Sequence, residues 1–296
     1  MAATINAIRT AVLNDGIAIP IIGFGAGTKW SNRTNSTELN RPLIESVNNA
    51  TKLGYNHLDG AEVYGTETEL GQAIQESGLS RDKLFVTTKV IVNIADIGKA
   101  IDESLKKLKL DYVDLYLIHS PFFAKDDAEL QAAWASMEKV KASGKARSIG
   151  VSNFLQSHLE TILKTATVIP SVNQIELHPY LQHGNLLPFH ESKGIKTVSY
   201  GPLTPLLRAP GGPVDPLLSQ LATKYAVSES EILLRWTIDR GAVAITTSSK
   251  ESRLTNYLRA LTFELTPKEV EEISELGQQK HYRAFWTDKF AADDRS

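Results

Sequence analysis

Four residues with acid–base side chains follow short apolar runs in the first part of this 296-residue chain. Asp59, Lys89 and His119 each end such a run, and Tyr64 comes five residues after Asp59. A buried charge is costly unless it is paired, so we expect a salt bridge between Asp59 and Lys89. A nearby cation lowers the pKa of a phenol from about 10, which makes Tyr64 a candidate general acid near neutral pH. His119 could hydrogen-bond a substrate carbonyl group and orient it.

Each of these residues also has another interpretation. A Lys–Asp pair inside a barrel is often only structural, and a lone histidine at a strand end is usually a satisfied core residue. Lys89 beside an acid could also form a Schiff base, as in a barrel aldolase. A metal site would need several histidines and carboxylates converging from different strand ends, and Lys89 in their midst would repel a cation. The sequence contains no Gly-x-Ser-x-Gly motif, so a serine hydrolase is unsupported.

The elements that must position these residues are short β-branched runs that alternate with longer amphipathic stretches. Successive runs begin 25 to 46 residues apart, and a βα unit needs about 30 residues. The spacing predicts an α/β protein with a closed (β/α)8 TIM barrel, whose strand carboxyl ends carry the active site. An open doubly wound sheet is the alternative, but it usually has fewer strands and a Gly-rich turn directly before its first helix. The predicted strands are residues 21–25, 56–59, 84–90, 113–119, 146–151, 171–176, 196–200 and 242–246.

Several segments lie outside these repeating units. Residues 11–19 are predicted to form an N-terminal β-hairpin, because Asn14-Asp15-Gly16 is a typical turn sequence and lies between two apolar stretches. Residues 28–35 are predicted to form a polar loop after the first strand. The Pro- and Gly-dense residues 204–215 predict a lid or binding loop. We expect a C-terminal tail over the active-site mouth and a single domain over residues 1–296.

Composition excludes several classes of protein. Lys and Arg total 32 against 34 Asp and Glu, a net charge of -2, which argues against a general nucleic-acid binder. The absence of cysteine excludes disulfides, thiolate metal sites and a cysteine nucleophile. Residues 1–9 do not have the pattern of a signal peptide, and no apolar run approaches the ~20 residues of a membrane helix. We therefore expect a cytoplasmic protein with no membrane or nucleic-acid partner, as a monomer, with a dimer as the alternative.

Two long motifs resemble signatures of the aldo-keto reductases, which are NAD(P)H-dependent carbonyl reductases on a (β/α)8 barrel. Residues 54–61 (GYNHLDGA), with Tyr64 and Glu67, are similar to the first signature, and residues 144–154 (GKARSIGVSNF) are similar to the second. The resemblance covers essentially the whole chain. Residues 27–30, 119–123, 247–253 and 282–286 further resemble the fungal branch that contains conjugated polyketone and ketopantoyl lactone reductases.

The resemblance implies that Tyr64 donates a proton, that Asp59 and Lys89 tune it, and that His119 orients the substrate. Hydride would pass from the nicotinamide to the carbonyl carbon, chemistry that belongs to the cofactor. The implied contacts to the cofactor include Thr28, Asp59, Ser152, Asn153, Gln174, Tyr200, Pro202 and Leu203. Of these, Ser152, Asn153 and Gln174 would hold the carboxamide, Tyr200 would stack on the ring, and Thr28 would lie near the ribose.

The last strand–helix junction predicts NADPH as the cofactor. The 2′-phosphate adds roughly two negative charges, which Arg253 can grip bidentately and Lys250 can meet as a point charge. Ser248 and Ser249 add neutral donors, and a helix N-terminus would add its dipole. The sequence departs from the family at Thr247, which replaces the usual Lys, at Ser120, which replaces Trp, and at residues 256–257 near the adenine.

The expected substrate is an uncharged ketone or aldehyde, with aromatic, cyclic or activated ketones favoured. No Arg or Lys cluster beyond the cofactor site suggests an anionic substrate. The side chains expected to line its pocket are Trp30, Tyr64, His119, Phe122, Phe123 and Trp286, with Tyr282 and Phe285 also from the tail. Two alternatives stay open: a non-catalytic, cofactor-sensing binding subunit on the same fold, like the potassium-channel β-subunits, and a Schiff-base aldolase using Lys89.

Overall fold

The computed structural model describes residues 8–31 and 38–296. Residues 1–7 of the segment tested for a signal peptide, and residues 32–35 of the predicted polar loop, lie outside the described residues. The strands are β1 (Thr10–Val12), β2 (Ala18–Pro20), β3 (Ile22–Gly25), β4 (His57–Asp59), β5 (Phe85–Val90), β6 (Val113–Ile118), β7 (Ala146–Ser152), β8 (Val172–Glu176), β9 (Lys196–Tyr200) and β10 (Val243–Thr246). Strands β3 to β10 form a closed parallel barrel in chain order, which confirms the predicted fold.

Helices cover the outside of this barrel. Asn40, Asp96 and Asp126 begin three of them, because each side chain accepts a hydrogen bond from an otherwise unpaired amide in the first turn. In α3 the apolar residues Ile97 and Ile101 fall on the buried face, as their spacing predicts. The helices are α1 (Arg41–Lys52), α2 (Glu67–Ser77), α3 (Ile97–Leu108), α4 (Asp127–Ala142), α5 (Gln156–Leu163), α6 (Leu186–Ser192), α7 (Thr204–Leu207), α8 (Asp215–Tyr225), α9 (Glu229–Asp239), α10 (Glu251–Leu258) and α11 (Pro267–Gln278).

The interior of the barrel is apolar at its amino end, where β1 and β2 form the predicted hairpin. Aliphatic and aromatic side chains from alternate strand positions fill this region, so it is a packed core and not a pore. They are Phe85, Leu115, Leu117, Val172, Val198, Val243 and Ile245, with Leu13 and Ile19 from the hairpin. The hairpin therefore closes the bottom of the barrel and leaves the polar strand ends at the top.

Three segments surround that upper opening. Gly27 and Thr28 lie on the loop after β3, the α7 segment lies on the loop after β9, and the tail after α11 brings Phe285 and Trp286 to the opening. The predicted C-terminal tail over the mouth is thus present, and part of residues 204–215 borders the cavity. Within residues 8–31 and 38–296, no helix has the length and apolar character needed to span a membrane.

Candidate active site

A cavity of about 610 Å³ opens at the carboxyl ends of the strands. Its lining contains a set of polar side chains and a set of largely apolar ones, which we call the polar wall and the apolar wall. The polar wall comprises Asp59, Tyr64, His119, Asn153, Gln174 and Tyr200, and the apolar wall comprises Val63, Ile91, Leu203, Leu207, Phe285 and Trp286. The barrel topology thus brings together side chains that are far apart in the sequence, as expected for residues at the carboxyl ends of the predicted strands.

The salt bridge expected between Asp59 and Lys89 is present. Lys89 Nζ donates to Asp59 Oδ1 at 2.6 Å and to the carbonyl oxygen of Gly60 at 2.8 Å. Both side chains are buried. Burial opposes the ammonium form, but the attraction of Asp59 and Tyr64 outweighs it and raises the pKa of Lys89 above its ordinary value. Lys89 is therefore a cation here, and the ammonium form is not the nucleophile that a Schiff base requires.

Tyr64 is placed by a short 3₁₀ helix, Glu62–Tyr64, that follows β4. Gly65 ends this helix with a φ of +66°, a conformation that glycine adopts without strain. Lys89 Nζ lies 5.2 Å from the centroid of the Tyr64 ring. Desolvation raises the pKa of Tyr64, and the opposing attraction of Lys89 does not overcome it. The prediction of a lowered Tyr64 pKa was therefore wrong in net direction, because desolvation destabilises the phenolate by more than the attraction of Lys89 stabilises it.

Glu62 ties the Tyr64 helix to the loop that follows Lys89. One oxygen of its carboxylate accepts hydrogen bonds from the backbone amides of Ile91, Val92 and Asn93 at 3.1, 2.9 and 3.3 Å. The carboxylate sits at the beginning of the helix that carries Tyr64. This contact fixes the segments carrying the phenol and the ammonium relative to one another.

His119 follows β6 and faces the Tyr64 ring edge-on, with 5.4 Å between the ring centroids. Desolvation, reinforced by repulsion from Lys89, lowers the pKa of His119 well below its ordinary value. The imidazole is therefore neutral near pH 7 and carries one N–H. Its Nδ1 is buried and has no hydrogen-bond partner among the described residues. A neutral imidazole at this position can donate to a carbonyl oxygen without adding a second cation beside Lys89.

Asn153 joins three strand ends across the polar wall. Its Oδ1 accepts from the Tyr200 hydroxyl at 2.6 Å, and its Nδ2 donates to the carbonyl oxygen of His119 at 2.8 Å. Asn153 has a φ of +62°, a region that asparagine tolerates better than most residues. The backbone conformation turns its amide toward both neighbours and so orients Tyr200 and the His119 segment.

Gln174 extends this polar network to the salt bridge. The Nε2 of its side chain donates to Asp59 Oδ2 at 2.8 Å, and its backbone carbonyl oxygen accepts from the Ser152 hydroxyl at 2.7 Å. Gln174 borders the cavity, whereas Ser152 lies behind it and is buried. Three other residues expected to contact the cofactor, Thr28, Pro202 and Leu203, also border the cavity.

A group of cations lies beyond the cavity at the beginning of α10. Lys250 and Arg253 are exposed there, and Ser248 accepts from the backbone amide of Lys250 at 3.0 Å. Lys29, from the loop after β3, reaches across and donates to the Ser249 hydroxyl at 2.6 Å. Sequence analysis did not identify Lys29 as a candidate cofactor contact, because only its position in the polar loop distinguishes it from other surface lysines. Within the described residues, Lys29, Lys250 and Arg253 make no ion pair.

The aromatic residues expected in the substrate pocket do not all reach it. Trp286 borders the cavity, with its ring centroid 6.4 Å from that of His119. Phe122 packs behind Trp286 at 5.2 Å between centroids and is not among the lining residues. Phe123 packs against the outer core, and Trp30 is buried, with its Nε1 donating to the Thr247 hydroxyl at 3.0 Å. Phe122, Phe123 and Trp30 are therefore not among the residues that border the cavity, and their contact with the substrate stays a prediction.

Several lining residues that sequence analysis did not identify are aliphatic. Val63, Ile91 and Leu207 carry no motif that distinguishes them from core residues, so their positions follow only from the closed barrel. Arg208 also borders the cavity, 4.8 Å from the centroid of the Phe285 ring. No group of three or more histidine, aspartate or glutamate side chains in the described chain is arranged to hold a metal ion.

Comparison with known proteins gives consistent matches over most of the chain. Residues 21–278 match the Aldo/keto reductase family. The chain is 43% identical over 273 residues to a NAD/NADP-dependent indole-3-acetaldehyde reductase of Schizosaccharomyces pombe, covering 91% of this chain and 96% of the relative. It is 39% identical over 289 residues to an NADPH-dependent alpha-keto amide reductase of Saccharomyces cerevisiae, covering 93% of each.

Solved structures give the same result. An aldo/keto reductase from Brucella melitensis superposes with a TM-score of 0.81 at 37% identity, covering 91% of this chain and 100% of that chain. A Bombyx mori aldo-keto reductase in complex with NADP superposes with a TM-score of 0.83 at 35% identity, covering 92% of this chain and 93% of that chain.

Proposed function

The chain belongs to the aldo/keto reductase family and is a carbonyl reductase, and on that premise we propose that it reduces uncharged aromatic or activated ketones and aldehydes with NADPH. The observation that carries the proposal is the Tyr64–Lys89–Asp59 arrangement beside His119 at the bottom of a largely apolar cavity. It supplies a protonated phenol, a cation beside it and a neutral hydrogen-bond donor.

The residues beyond the cavity fit a phosphorylated dinucleotide. Lys29, Lys250 and Arg253 gather at the N-terminus of α10, where backbone amides and the helix dipole also favour an anion. None of the three is neutralised by an acidic side chain of the described residues. A 2′-phosphate would supply the missing negative charge, and this supports NADPH over NADH. The chemistry that NADPH supplies when bound is hydride transfer to the carbonyl carbon.

The chain's own residues handle the proton. We assign His119 to orient the substrate by donating to its carbonyl oxygen. Tyr64 then gives its hydroxyl proton to that oxygen, which becomes the alcohol oxygen of the product. The ammonium of Lys89 stabilises the phenolate that remains on Tyr64, and Asp59 keeps Lys89 charged and in place.

The polar wall serves to position the nicotinamide. Gln174 borders the cavity and is itself fixed by Asp59, and Asn153 is fixed by Tyr200 and the His119 segment. Amide side chains held in this way can recognise a carboxamide without first losing rotamer freedom. Tyr200 presents a half-buried ring next to them. We assign Ser152 to support the β8 backbone at Gln174 from behind the cavity, since its hydroxyl already donates to the backbone carbonyl oxygen of Gln174.

The apolar wall sets the substrate class. Phe285, Trp286 and Leu207 offer flat or aliphatic surface. Among the described residues that border the cavity, Arg208 is the one Lys or Arg side chain, and it lies against the Phe285 ring. The relatives named above act on indole-3-acetaldehyde and alpha-keto amides, which are an aldehyde that carries an aromatic ring and a class of activated ketones. Both classes suit a wall of this composition.

The testing experiment follows NADPH oxidation optically with a panel of carbonyl compounds, and NADH is run in parallel. The panel contains isatin, ketopantoyl lactone, a nitrobenzaldehyde, indole-3-acetaldehyde and an alpha-keto amide. Turnover with NADPH and a preference for the aromatic or activated members is the expected result. Tight NADPH binding without turnover would instead favour a cofactor-sensing binding subunit. Borohydride trapping of substrate on Lys89 would favour the aldolase.

A further inference from the structure

One buried carboxylate, that of Glu176, binds the backbone of the C-terminal tail where the tail passes over the cavity. Glu176 ends β8, two residues after Gln174, and is only 2% exposed. Its Oε1 accepts from the backbone amide of Ala284 at 2.8 Å, and its Oε2 accepts from that of Phe285 at 3.1 Å. Two successive tail amides therefore bind the two oxygens of a single side chain.

Other groups complete the surroundings of this carboxylate. His178 Nε2 lies 3.0 Å from Glu176 Oε1. Burial lowers the pKa of His178, so the imidazole is neutral at pH 7 and acts as a hydrogen-bond donor to Glu176. The carboxylate thus has three hydrogen bonds, all from groups that stay in place near neutral pH. A carboxylate this buried is stable only when such donors surround it.

The tail residues that Glu176 binds are next to those that form the substrate wall. Phe285 meets the Tyr200 ring edge-on at 5.3 Å between centroids, and Trp286 faces His119. Trp286 has a φ of +59°, a left-handed conformation that is unfavourable for a bulky residue. Such a conformation persists only where neighbouring contacts hold it, and the two amides bound by Glu176 immediately precede it.

From this geometry we propose that Glu176 is a specificity-determining positioning residue, which shapes the substrate wall by fixing Phe285 and Trp286. Glu176 does not border the main cavity among the described residues, so it acts through the tail and not by touching the substrate. The inference rests on the proposed function, since it identifies what sets the substrate preference of the same site. With the tail bound to Glu176, the site favours planar aromatic carbonyl compounds, because they gain contact with the rings of both Phe285 and Trp286.

The test replaces Glu176 by glutamine, which keeps the shape but turns one acceptor into a donor facing an amide N–H. Hydrogen–deuterium exchange of the peptide containing residues 282–290 reports directly on how firmly the tail is bound to Glu176, and the measurement needs no catalytic turnover. We expect exchange there to quicken by about tenfold in E176Q. The KM for isatin should rise by about tenfold, because a buried hydrogen bond to a charged group is lost, while the Kd for NADPH stays within about twofold.

The matched control is Glu231→Gln. Glu231 is also fully buried and accepts from a backbone amide, that of Ser228 at 2.9 Å, but it lies in α9 away from the cavity. E231Q should leave both tail exchange and the preference for isatin over a small aliphatic ketone unchanged. If E231Q reproduces the changes of E176Q, the effect is general loss of stability and the proposal is overturned.

A double-mutant comparison separates a positioning role from direct contact. The full chain carrying Phe285→Ala and Trp286→Ala has lost the rings that Glu176 is proposed to place. Adding E176Q to that variant should therefore change the isatin preference no further. Additive effects, or unchanged tail exchange in E176Q, would refute the proposal. Failure of the proposed function is distinct from this, because it would show as absent turnover in the unaltered chain while tail exchange still responds to E176Q.

Discussion

Gly27 faces the Tyr64 ring so closely that a Cβ atom on residue 27 would lie 2.6 Å from Tyr64 Cε2 and 2.7 Å from Cζ. Carbon atoms do not approach to that distance, so the ring and its hydroxyl would have to move. The absence of a side chain at residue 27 is thus a condition for the position of Tyr64 beside Lys89.

Gly27→Ala is predicted to lower kcat by about 100-fold, because misplacement of a reacting group by about 1 Å costs that much. NADPH affinity should change little. The measurement is steady-state kinetics with isatin together with a fluorescence titration of NADPH. Gly98→Ala is the control, since a Cβ atom there meets only Asp96 Oδ1 at 3.6 Å, an ordinary contact. Full activity in G27A would show that Tyr64 tolerates displacement.

Tyr64→Phe removes the hydroxyl while keeping the ring against His119. We expect kcat to fall by about 10²–10⁴-fold, the range for loss of a general acid, with NADPH affinity nearly unchanged. Single-turnover kinetics and the NADPH titration distinguish the two effects. A large loss of NADPH affinity with little change in the chemical step would contradict the assigned role.

The pH dependence of ketone reduction follows from the raised pKa of Tyr64. Its ordinary value is 10.0, and desolvation moves it higher, so the hydroxyl is protonated throughout the neutral range. A general acid must be protonated to act, so kcat should stay level from neutral pH to about 10 and fall only above that. The profile is measured with saturating NADPH. An alkaline limb with a midpoint near 8 would instead show that Lys89 controls the Tyr64 pKa in the complex.

The cations at the beginning of α10 are predicted to set the cofactor preference. Replacing Lys250 and Arg253 by alanine should lower the NADPH to NADH ratio of kcat/KM by about 10-fold or more, because each charge-assisted hydrogen bond contributes about 1.5–3 kcal/mol. Lys29→Ala should add to the loss, since Lys29 reaches the same group through Ser249. An unchanged ratio in the double variant would exclude this site for the 2′-phosphate. Lys268→Ala, an exposed change on α11, is the control.

Much of the fold could be predicted from the sequence, because strand and helix periodicity depends on neighbouring residues. The strand predicted at 196–200 is β9 with the same ends, and that predicted at 113–119 is β6 with one residue less. Asp59, Lys89 and His119 could be placed at one mouth because parallel strands in a barrel all end on the same side.

Tertiary structure alone decided the properties that depend on distant neighbours. The net direction of the Tyr64 pKa depends on desolvation by loops from several parts of the chain, which spacing does not reveal. Trp30 is an aromatic residue of the kind expected in a substrate pocket, yet its indole N–H donates to the Thr247 hydroxyl and its ring lies in the core. The contact of Glu176 with the tail joins residues more than 100 positions apart. Periodicity carries no information about such pairs, since they form only when the closed barrel brings its loops to a common rim.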